Sequence, residues 1–516
     1  MPALAGDHLG EAWVESEWMV EPPKDGTGPQ LSRNRRLLVL AICCFSLLMV
    51  GLDTTIVNVA LPSIRNELNA SVSGLQWVID AYTLVLASLL MLAGSTADRI
   101  GRKRIFRAGL VVFSLGSLLC GVAPSLGTLI GARVLQAVGG SMLNPVALSI
   151  VRNVFDDPRE RAQAIGAWGA VFGLSIALGP VLGGALVDSV GWRWVFFVNV
   201  PIGVLAFVLT TLYVPRSRAA RARRLDPVGQ VLVILALASL TYAIIDAPRA
   251  GWTSDGTLGL FAFSVVCFGA LVAYELHRRE PLIEMRFFRS APFSGASAIA
   301  VCAFAAMGGF LFLNTLYLQD VRHLSPFHAG LYLLPMAGMV LVCSPISGRL
   351  VSRRGARLPL VIAGCALTIA SVLLTRLAPH TAPVELLATY FLFGIGSGMV
   401  NPPITNTAVS GMPASQAGVA AAIASTSRQV GMTLGVALLG AISGGAVSGA
   451  IGPGFAAATR SGWWVCVGLG VTILVLGVLT TTAWAERTAR DTAERVGDDE
   501  PRPARAGYSA RELAPG

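Results

Sequence analysis

Apolar runs about as long as a bilayer is thick recur from Leu37 to Trp484, and that recurrence constrains the fold more than any single motif. A helix needs roughly 20 apolar residues to cross a hydrocarbon core of about 30 Å, and only helices or closed barrels satisfy every backbone polar group there. Windows of that size fall at 37–58, 73–94, 105–123, 127–150, 162–186, 194–213, 228–247, 257–276, 292–318, 328–350, 359–378, 384–408, 416–446 and 462–484, fourteen in all. Charged residues make up only 13% of the 516 positions and hydrophobic ones 54%, whereas a soluble domain carries about 25% charge. An ordinary soluble enzyme is therefore excluded. The expected class is an all-α integral membrane protein.

The formal charge of +10 is not spread evenly. Arg33, Arg35 and Arg36 precede the first window, Arg99, Arg102, Lys103, Arg104 and Arg107 follow the second, and Arg152, Arg159 and Arg161 follow the fourth. Arg216, Arg218, Arg221, Arg223 and Arg224, then Arg278, Arg279, Arg286 and Arg289, then Arg353, Arg354 and Arg357 fall on the same side. The opposite loops hold little beyond Arg65, Arg193, Arg249, Arg322 and Arg460. Positive charge concentrates on the cytoplasmic side of membrane proteins, so an even number of spans leaves both termini in the cytoplasm. The basic balance is thus a topology signal and no nucleic-acid partner is expected. The polar, acidic stretch 1–36 lacks the basic start and short apolar core of a signal peptide.

Only two lysines occur, Lys24 and Lys103, and neither completes a phosphate-cradling GxxxxGK[ST] loop, so no nucleotide is expected. The eight cysteines lie inside apolar runs without a CxxC, and the five histidines are scattered without an HExxH. No metal, no cofactor and no catalytic constellation is expected; the chain reads as a non-enzyme. The preference for arginine over lysine is a codon signature of a GC-rich genome, which points to a bacterial plasma membrane.

The sequence repeats internally. Gly94-Ser-Thr-Ala-Asp98-Arg99-Ile-Gly101-Arg102-Lys103 after the second window is echoed by Gly348-Arg-Leu-Val-Ser-Arg353-Arg-Gly355-Ala-Arg357 after the tenth, and Asn144-Pro145 by Asn401-Pro402. Two parallel halves of six spans follow from this, 37–213 and 292–484, joined by a linker with two extra spans over 214–291 and flanked by tails 1–36 and 485–516. Repeats of this kind place a substrate site near the midplane between halves.

Charges inside apolar helices are the leading candidates for that site, since one at the bilayer centre costs at least a few kcal/mol and faces a cavity or a partner. At about 1.5 Å per residue, Asp53 lies roughly 24 Å and Arg133 roughly 21 Å from the cytoplasmic end of their spans, so their depths match. Desolvation favours a neutral carboxyl and an approaching cation favours a carboxylate, so Asp53 can exchange a proton for a cationic substrate. A structural role, in an ion pair or near the kink at Pro62, is the alternative for each. Asp80 is a weaker candidate, expected within about two turns of the outer surface and wetted there. Asp188, Asp246 and Asp320 fall at span ends. Gly94 to Arg104 reads as a constrained turn. Gly169, Gly173, Gly179, Pro180, Gly183 and Gly184 form a small-residue ridge that serves tight packing or a sliding surface, with Pro180 interrupting the backbone ladder. Trp192, Trp194, Trp252, Trp463 and Trp464 read as interfacial anchors.

In this order the segments resemble the fourteen-span drug:proton antiporter branch of the major facilitator superfamily, over about residues 37–484. Leu52-Asp53-Thr-Thr-Ile-Val-Asn58-Val-Ala-Leu-Pro62 is similar to the motif at the end of its first helix, and Gly94–Arg104 to its loop motif. Arg133-Val-Leu-Gln136-Ala137-Val-Gly139 is similar to its fourth-helix motif, with Ala137 replacing the usual glycine, and Leu178–Gly184 to its antiporter motif. Trp192–Pro201 and Tyr317–Asp320 with Ser325-Pro326 support the same branch.

The resemblance implies a major facilitator fold and alternating access driven by proton influx. It implies coupling roles for Asp53 and Arg133, a conformational latch of Gly94, Asp98, Arg99, Gly101 and Arg102, and an exchange-mode role for Gly179, Pro180, Gly183 and Gly184. The window 416–446 holds Arg428 and no acid, unlike some polycation exporters of the branch, so dications are disfavoured and neutral lipophilic or antibiotic-like compounds fit at least as well. The expected partners are such a compound, protons and membrane lipid, and a monomer is compatible with this reading. A dedicated exporter of one endogenous product and, in another class, a non-transporting sensor or scaffold remain as alternatives.

Overall fold

A computed structural model describes residues 32–155, 157–218, 225–278, 281–410, 416–444, 451–452 and 454–498. The expected tails lie mostly outside the described residues, as do Arg221, Arg223, Arg224 and Arg279. Every regular element among the described residues is helical. Thirteen helical segments are long and apolar enough to cross a membrane: Arg33–Leu68, Val72–Ile100, Arg102–Gly121, Leu126–Val154, Arg159–Val190, Trp194–Tyr213, Pro227–Ala250, Asp255–Leu276, Ala291–Val321, Pro326–Arg354, Arg357–Leu374, Pro383–Val409 and Gly454–Leu479. The remaining expected span is Ala417–Gly444, a 28-residue helix. Its polar stretch Ser425-Thr-Ser-Arg428-Gln429 dilutes its apolarity, yet it packs along the ninth span and against the second. With it counted as the thirteenth in chain order, the spans number fourteen.

Small polar residues start several of these helices. Ser71, Ser125, Ser254 and Ser325 accept hydrogen bonds from first-turn N–H groups that have no intrahelical partner. The first helix runs to Leu68 instead of ending near residue 58, with Pro62 inside it and Asn69 closing it in the left-handed region at φ 52°. Apolar windows measure hydrocarbon thickness, whereas Arg65-Asn66-Glu67 continue the helix past it. Asp53 therefore sits near the middle of its helix. The fourth span breaks at Met142–Leu143, just before Asn144-Pro145, into Leu126–Ser141 and Asn144–Val154. The fifth, Pro158–Val190, stays one helix through Pro180.

The packing repeats as the sequence does. The first span lies on the fifth, the second on the fourth and the third on the sixth; eight positions along the count, the ninth lies on the thirteenth, the tenth on the twelfth and the eleventh on the fourteenth. The halves meet where the second span packs on the thirteenth and the fifth on the tenth, a pair of contacts that the same repeat exchanges. The two extra spans pair with each other, and the seventh also touches the second and thirteenth. It thus covers one seam between the halves, with Gln230 Nε2 donating to Ser88 O at 2.6 Å and Ile244 and Ile245 packed with Ala437 and Ala441.

Polar ties join the halves toward the arginine-poor ends. Arg65 pairs with Asp320 at 3.3 Å, Asp188 accepts from Ser325 Oγ and Phe327 N at 2.9 Å each, and Gln319 Nε2 donates to Val59 O at 2.8 Å. Gln76 Nε2 donates to Val436 O and Ala437 O at 3.1 and 2.8 Å, and Thr433 bonds Thr83 at 2.8 Å.

Close helix approach depends on glycine at a few places. A Cβ on Gly364 of the eleventh span would stand 2.6 Å from Leu474 N and 2.7 Å from its Cα, which are backbone atoms that cannot turn aside. Gly364→Val is expected to cost about 1–3 kcal/mol through overpacking, read as a lower thermal midpoint of the purified protein in detergent. An unchanged midpoint would contradict this packing.

Candidate functional site

The first, third, fourth and sixth spans bring five polar side chains into one buried cluster, and each of the five is at most 1% exposed. Arg133 Nη1 donates to Asp53 Oδ2 at 2.5 Å and to Gln136 Oε1 at 2.7 Å, while its Nε donates to Val78 O of the second span at 3.0 Å. Gln136 Nε2 donates to Asp53 Oδ1 at 2.8 Å and to Ser117 Oγ at 2.9 Å. Asn199 Nδ2 reaches Asp53 Oδ1 at 3.4 Å and Ser117 Oγ at 3.1 Å, and Ser117 itself donates to Phe196 O at 3.1 Å. The guanidinium lies 4.1 Å from the centre of the Tyr82 ring.

Sequence spacing explains part of this. Residues three apart share a helix face, so Arg133 and Gln136 aim together at the first span. An ionised carboxylate only accepts hydrogen bonds and a guanidinium only donates them, so the cluster fits the ionised pair. A proton on Asp53 would convert an acceptor into a donor and displace one of Arg133, Gln136 or Asn199. The matched depths of Asp53 and Arg133 are realised as direct contact. Gln136 and Asn199 lie within the quoted motifs without a charge to mark them, and Ser117 and Tyr82 carry no signal beyond being polar-tipped residues in apolar runs.

Asp80 is not part of this cluster. It is fully buried, and neither carboxylate oxygen has a hydrogen-bond partner among the described residues. The expected wetted position is corrected: Gln76 and Thr83, on either side of it along the second span, bond the thirteenth span, which shields this stretch.

The glycine ridge has two edges. A Cβ on Gly179 would collide with the Thr55 side chain, and one on Gly183 would stand 2.7 Å from Ile56 Cγ1, so these two seat the fifth span on the first, beside Asp53. Gly184 instead abuts Pro326 and Phe327, and the Pro180 carbonyl faces Gly330, both in the tenth span of the other half. Gly169 has no such neighbour and Gly173 lies against Leu341.

In the loop motif Gly101 has φ +120°, a region L side chains rarely adopt, and its echo Gly355 has φ +76°. Each closes its helix through an N–H bond, to Ala97 O and Val351 O. Arg102 holds Asp98 Oδ1 at 3.1 and 3.0 Å through Nε and Nη2, and its backbone N–H donates to Ser217 O at 3.0 Å. Arg99 is exposed and Gly94 lies against Pro145. The tryptophans divide. Trp194, Trp252 and Trp464 are exposed as anchors require, but Trp192 and Trp463 are buried: Trp192 donates to Glu67 Oε2 at 2.6 Å at the end of the first span, and Trp463 lies edge-on to Phe310 of the ninth at 6.3 Å.

The family model described as Major Facilitator Superfamily matches residues 43–436. The chain belongs to this superfamily. "Multidrug resistance protein Stp" of Mycobacterium tuberculosis is 38% identical over 81% of this chain and 78% of its own length. The "Tetracenomycin C resistance and export protein" of Streptomyces glaucescens is 38% identical over 80% and 76%, and the "Puromycin resistance protein pur8" of Streptomyces alboniger 36% over 91% and 95%. A bacterial homologue of the human lysosomal transporter Spinster, solved inward-facing and unoccupied, superposes with a TM-score of 0.60 at 18% identity over 90% of this chain and 99% of that one. The major facilitator fold is thereby established for this multi-pass membrane protein of two six-helix bundles and two inserted helices.

Removing one member of a buried ion pair leaves the other uncompensated at a cost of about 3–5 kcal/mol. Arg133→Gln should therefore destabilise strongly, and the double variant Asp53→Asn/Arg133→Gln should recover part of the loss in denaturation of the purified protein. Strictly additive effects would count against the pair.

Proposed function

We propose that this protein is a proton-driven exporter of lipophilic drugs, antibiotics or related metabolites, working by alternating access in a bacterial plasma membrane with both termini cytoplasmic. Family membership and the resistance and export names of its relatives support export. The observation that carries proton coupling is the buried Asp53–Arg133 pair beside the fifth-span glycines. In the proposed cycle a proton taken up by Asp53 removes the anion that Arg133 is paired with. The released guanidinium rearranges its bonds to Gln136 and Val78, and the strain is relayed through Thr55 and Ile56 to the fifth span, whose other edge bears on the tenth. Asp98, Arg99, Gly101 and Arg102, with Gly94, form the latch at the arginine-rich end, and Asp80 is a second coupling group at the seam.

Neither nucleotide nor cofactor enters this scheme, and it describes a transporter rather than an enzyme. Inward movement of one proton across about 100 mV supplies about 2.3 kcal/mol, enough for a substrate gradient of more than tenfold. Both halves and the site lie in one chain, so a monomer suffices. A dedicated exporter of a single product is the second reading, favoured by relatives named for one antibiotic each.

The test is substrate-induced proton movement in proteoliposomes under an imposed pH gradient, with a panel of cationic, neutral and acidic lipophiles. Asp53→Asn is expected to lower coupled flux by at least about tenfold, the scale of one lost 1.4 kcal/mol interaction, with insertion intact. Full flux in Asp53→Asn would move the proton site elsewhere. Flux with a single compound would favour the dedicated exporter, and no flux with any compound would reject the broad exporter in favour of a dedicated exporter of a product outside the panel or of a non-transporting sensor.

A further inference from the structure

We infer that Arg428 forms an anion-binding subsite on the second half's wall of the substrate path, which selects lipophilic compounds bearing an ionised acid over their neutral counterparts. The inference rests on the exporter reading above and names its substrate class.

Arg428 lies about 16 Å along the thirteenth span from Ala417 at ~1.5 Å per residue, well inside a helix of 28 residues. Its Nη2 donates to the Thr405 hydroxyl, its Nη1 to Ser425 Oγ at 3.4 Å, and its Cζ stands 6.0 Å from the centre of the Phe304 ring. All these partners are neutral, and its Nε is buried with no hydrogen-bond partner among the described residues. A guanidinium stays protonated in proteins, so this charge is permanent. The contrast with the other half is direct: Arg133, only 1% exposed, has Asp53, whereas Arg428 is half-buried and reaches toward the arginine-rich end at Thr405.

The second half offers no such partner. Between residues 292 and 484 the only acids are Asp320 and Glu385. Asp320 pairs with Arg65, and Glu385 stands in the first turn of the twelfth span, toward the opposite end of that helix from Thr405. Asp80 is also not a counterion in this arrangement. With Thr83 and Thr433 in contact and the two helices running oppositely, Asp80 and Arg428 are separated along the bundle by about 12 Å at ~1.5 Å per residue.

The surroundings suit a ligand. The ninth, twelfth and thirteenth spans converge on Arg428, and the ninth packs on the first span and the thirteenth on the second, so this corner borders the seam between the halves. Thr405 is exposed, which leaves the head group beside accessible space. A planar guanidinium matches the paired oxygens of a carboxylate or sulfonate, and the Phe304 ring supplies an apolar neighbour for the body of the same compound.

The experiment titrates purified full-length protein with dansyl-phenylalanine, a lipophilic carboxylate, and with its methyl ester, which keeps the fluorophore and loses the charge. The native protein should bind the acid at least about tenfold more tightly than the ester. Arg428→Gln should abolish that preference and leave ester affinity unchanged, and Arg428→Lys should retain part of it. Equal affinities in the native protein, no binding of the acid, or a preference that survives in Arg428→Gln would overturn the inference. If Arg428→Gln loses both probes, Arg428→Lys decides: acid preference kept there supports the subsite, and loss of both probes there assigns Arg428 to packing and rejects it. Proton-linked flux by a protein that shows no acid preference rejects this subsite alone, whereas the exporter reading fails separately, on absence of flux.

Discussion

The first half of the protein is organised around one buried ion pair. Neither Asp53 nor Arg133 is tolerable alone in hydrocarbon, where a single charge costs about 2.5–3.5 kcal/mol even on the most lenient insertion scales. Their pairing satisfies both, and it recruits the neighbours that complete the hydrogen bonding. Val78 enters from the second span, Ser117 from the third, Gln136 from the fourth and Asn199 from the sixth. The fifth span joins because Gly179 and Gly183 let it lie against Thr55 and Ile56, two and three residues past Asp53. All six helices of that half thus meet at this pair, directly or through one neighbour.

The halves share their helix packing but not their electrostatics. The same pairs of spans touch in both, and the Gly101 and Gly355 turns recur with positive φ. Yet the first half neutralises its deep arginine internally, whereas the side chain of Arg428 in the second meets hydroxyls and a ring among the described residues. A repeated backbone architecture thus carries two different polar interiors. One is closed on itself around an ion pair, and the other holds an arginine whose hydrogen-bond partners are neutral.

Contact between the halves differs from one end of the bundle to the other. At the arginine-poor end it combines polar ties such as Arg65–Asp320 and Asp188 with Ser325, the close glycine approaches of Gly184 and Gly330, and a hydrophobic cluster that holds Ile56, Leu61 and Ile64 of the first span together with Phe310 and Leu318 of the ninth. The seventh span bridges the seam of the second and thirteenth spans through Gln230 and Ile245, so the seam of the fifth and tenth is the one left uncovered by the inserted pair.

Much of this was legible in the sequence. Bilayer-length apolar runs determine helix number, arginine placement marks one end of the bundle, and the two echoes reveal the repeat, because each is a local property of the chain. The depths of Asp53 and Arg133 follow from residue counting along straight helices. Helix ends beyond the apolar region were not legible, since polar residues such as Arg65 and Glu67 extend a helix without lengthening its hydrophobic run. Burial was not legible either: Asp80 and Trp192 read as surface residues until neighbouring helices covered them. Nor could sequence tell which face of the fifth span meets which half, or that Ser117 and Tyr82 join the cluster. Periodicity assigns residues to faces of one helix, but the partner of each face is chosen only when helices pack together, and that choice decided which charges are paired and which are left alone.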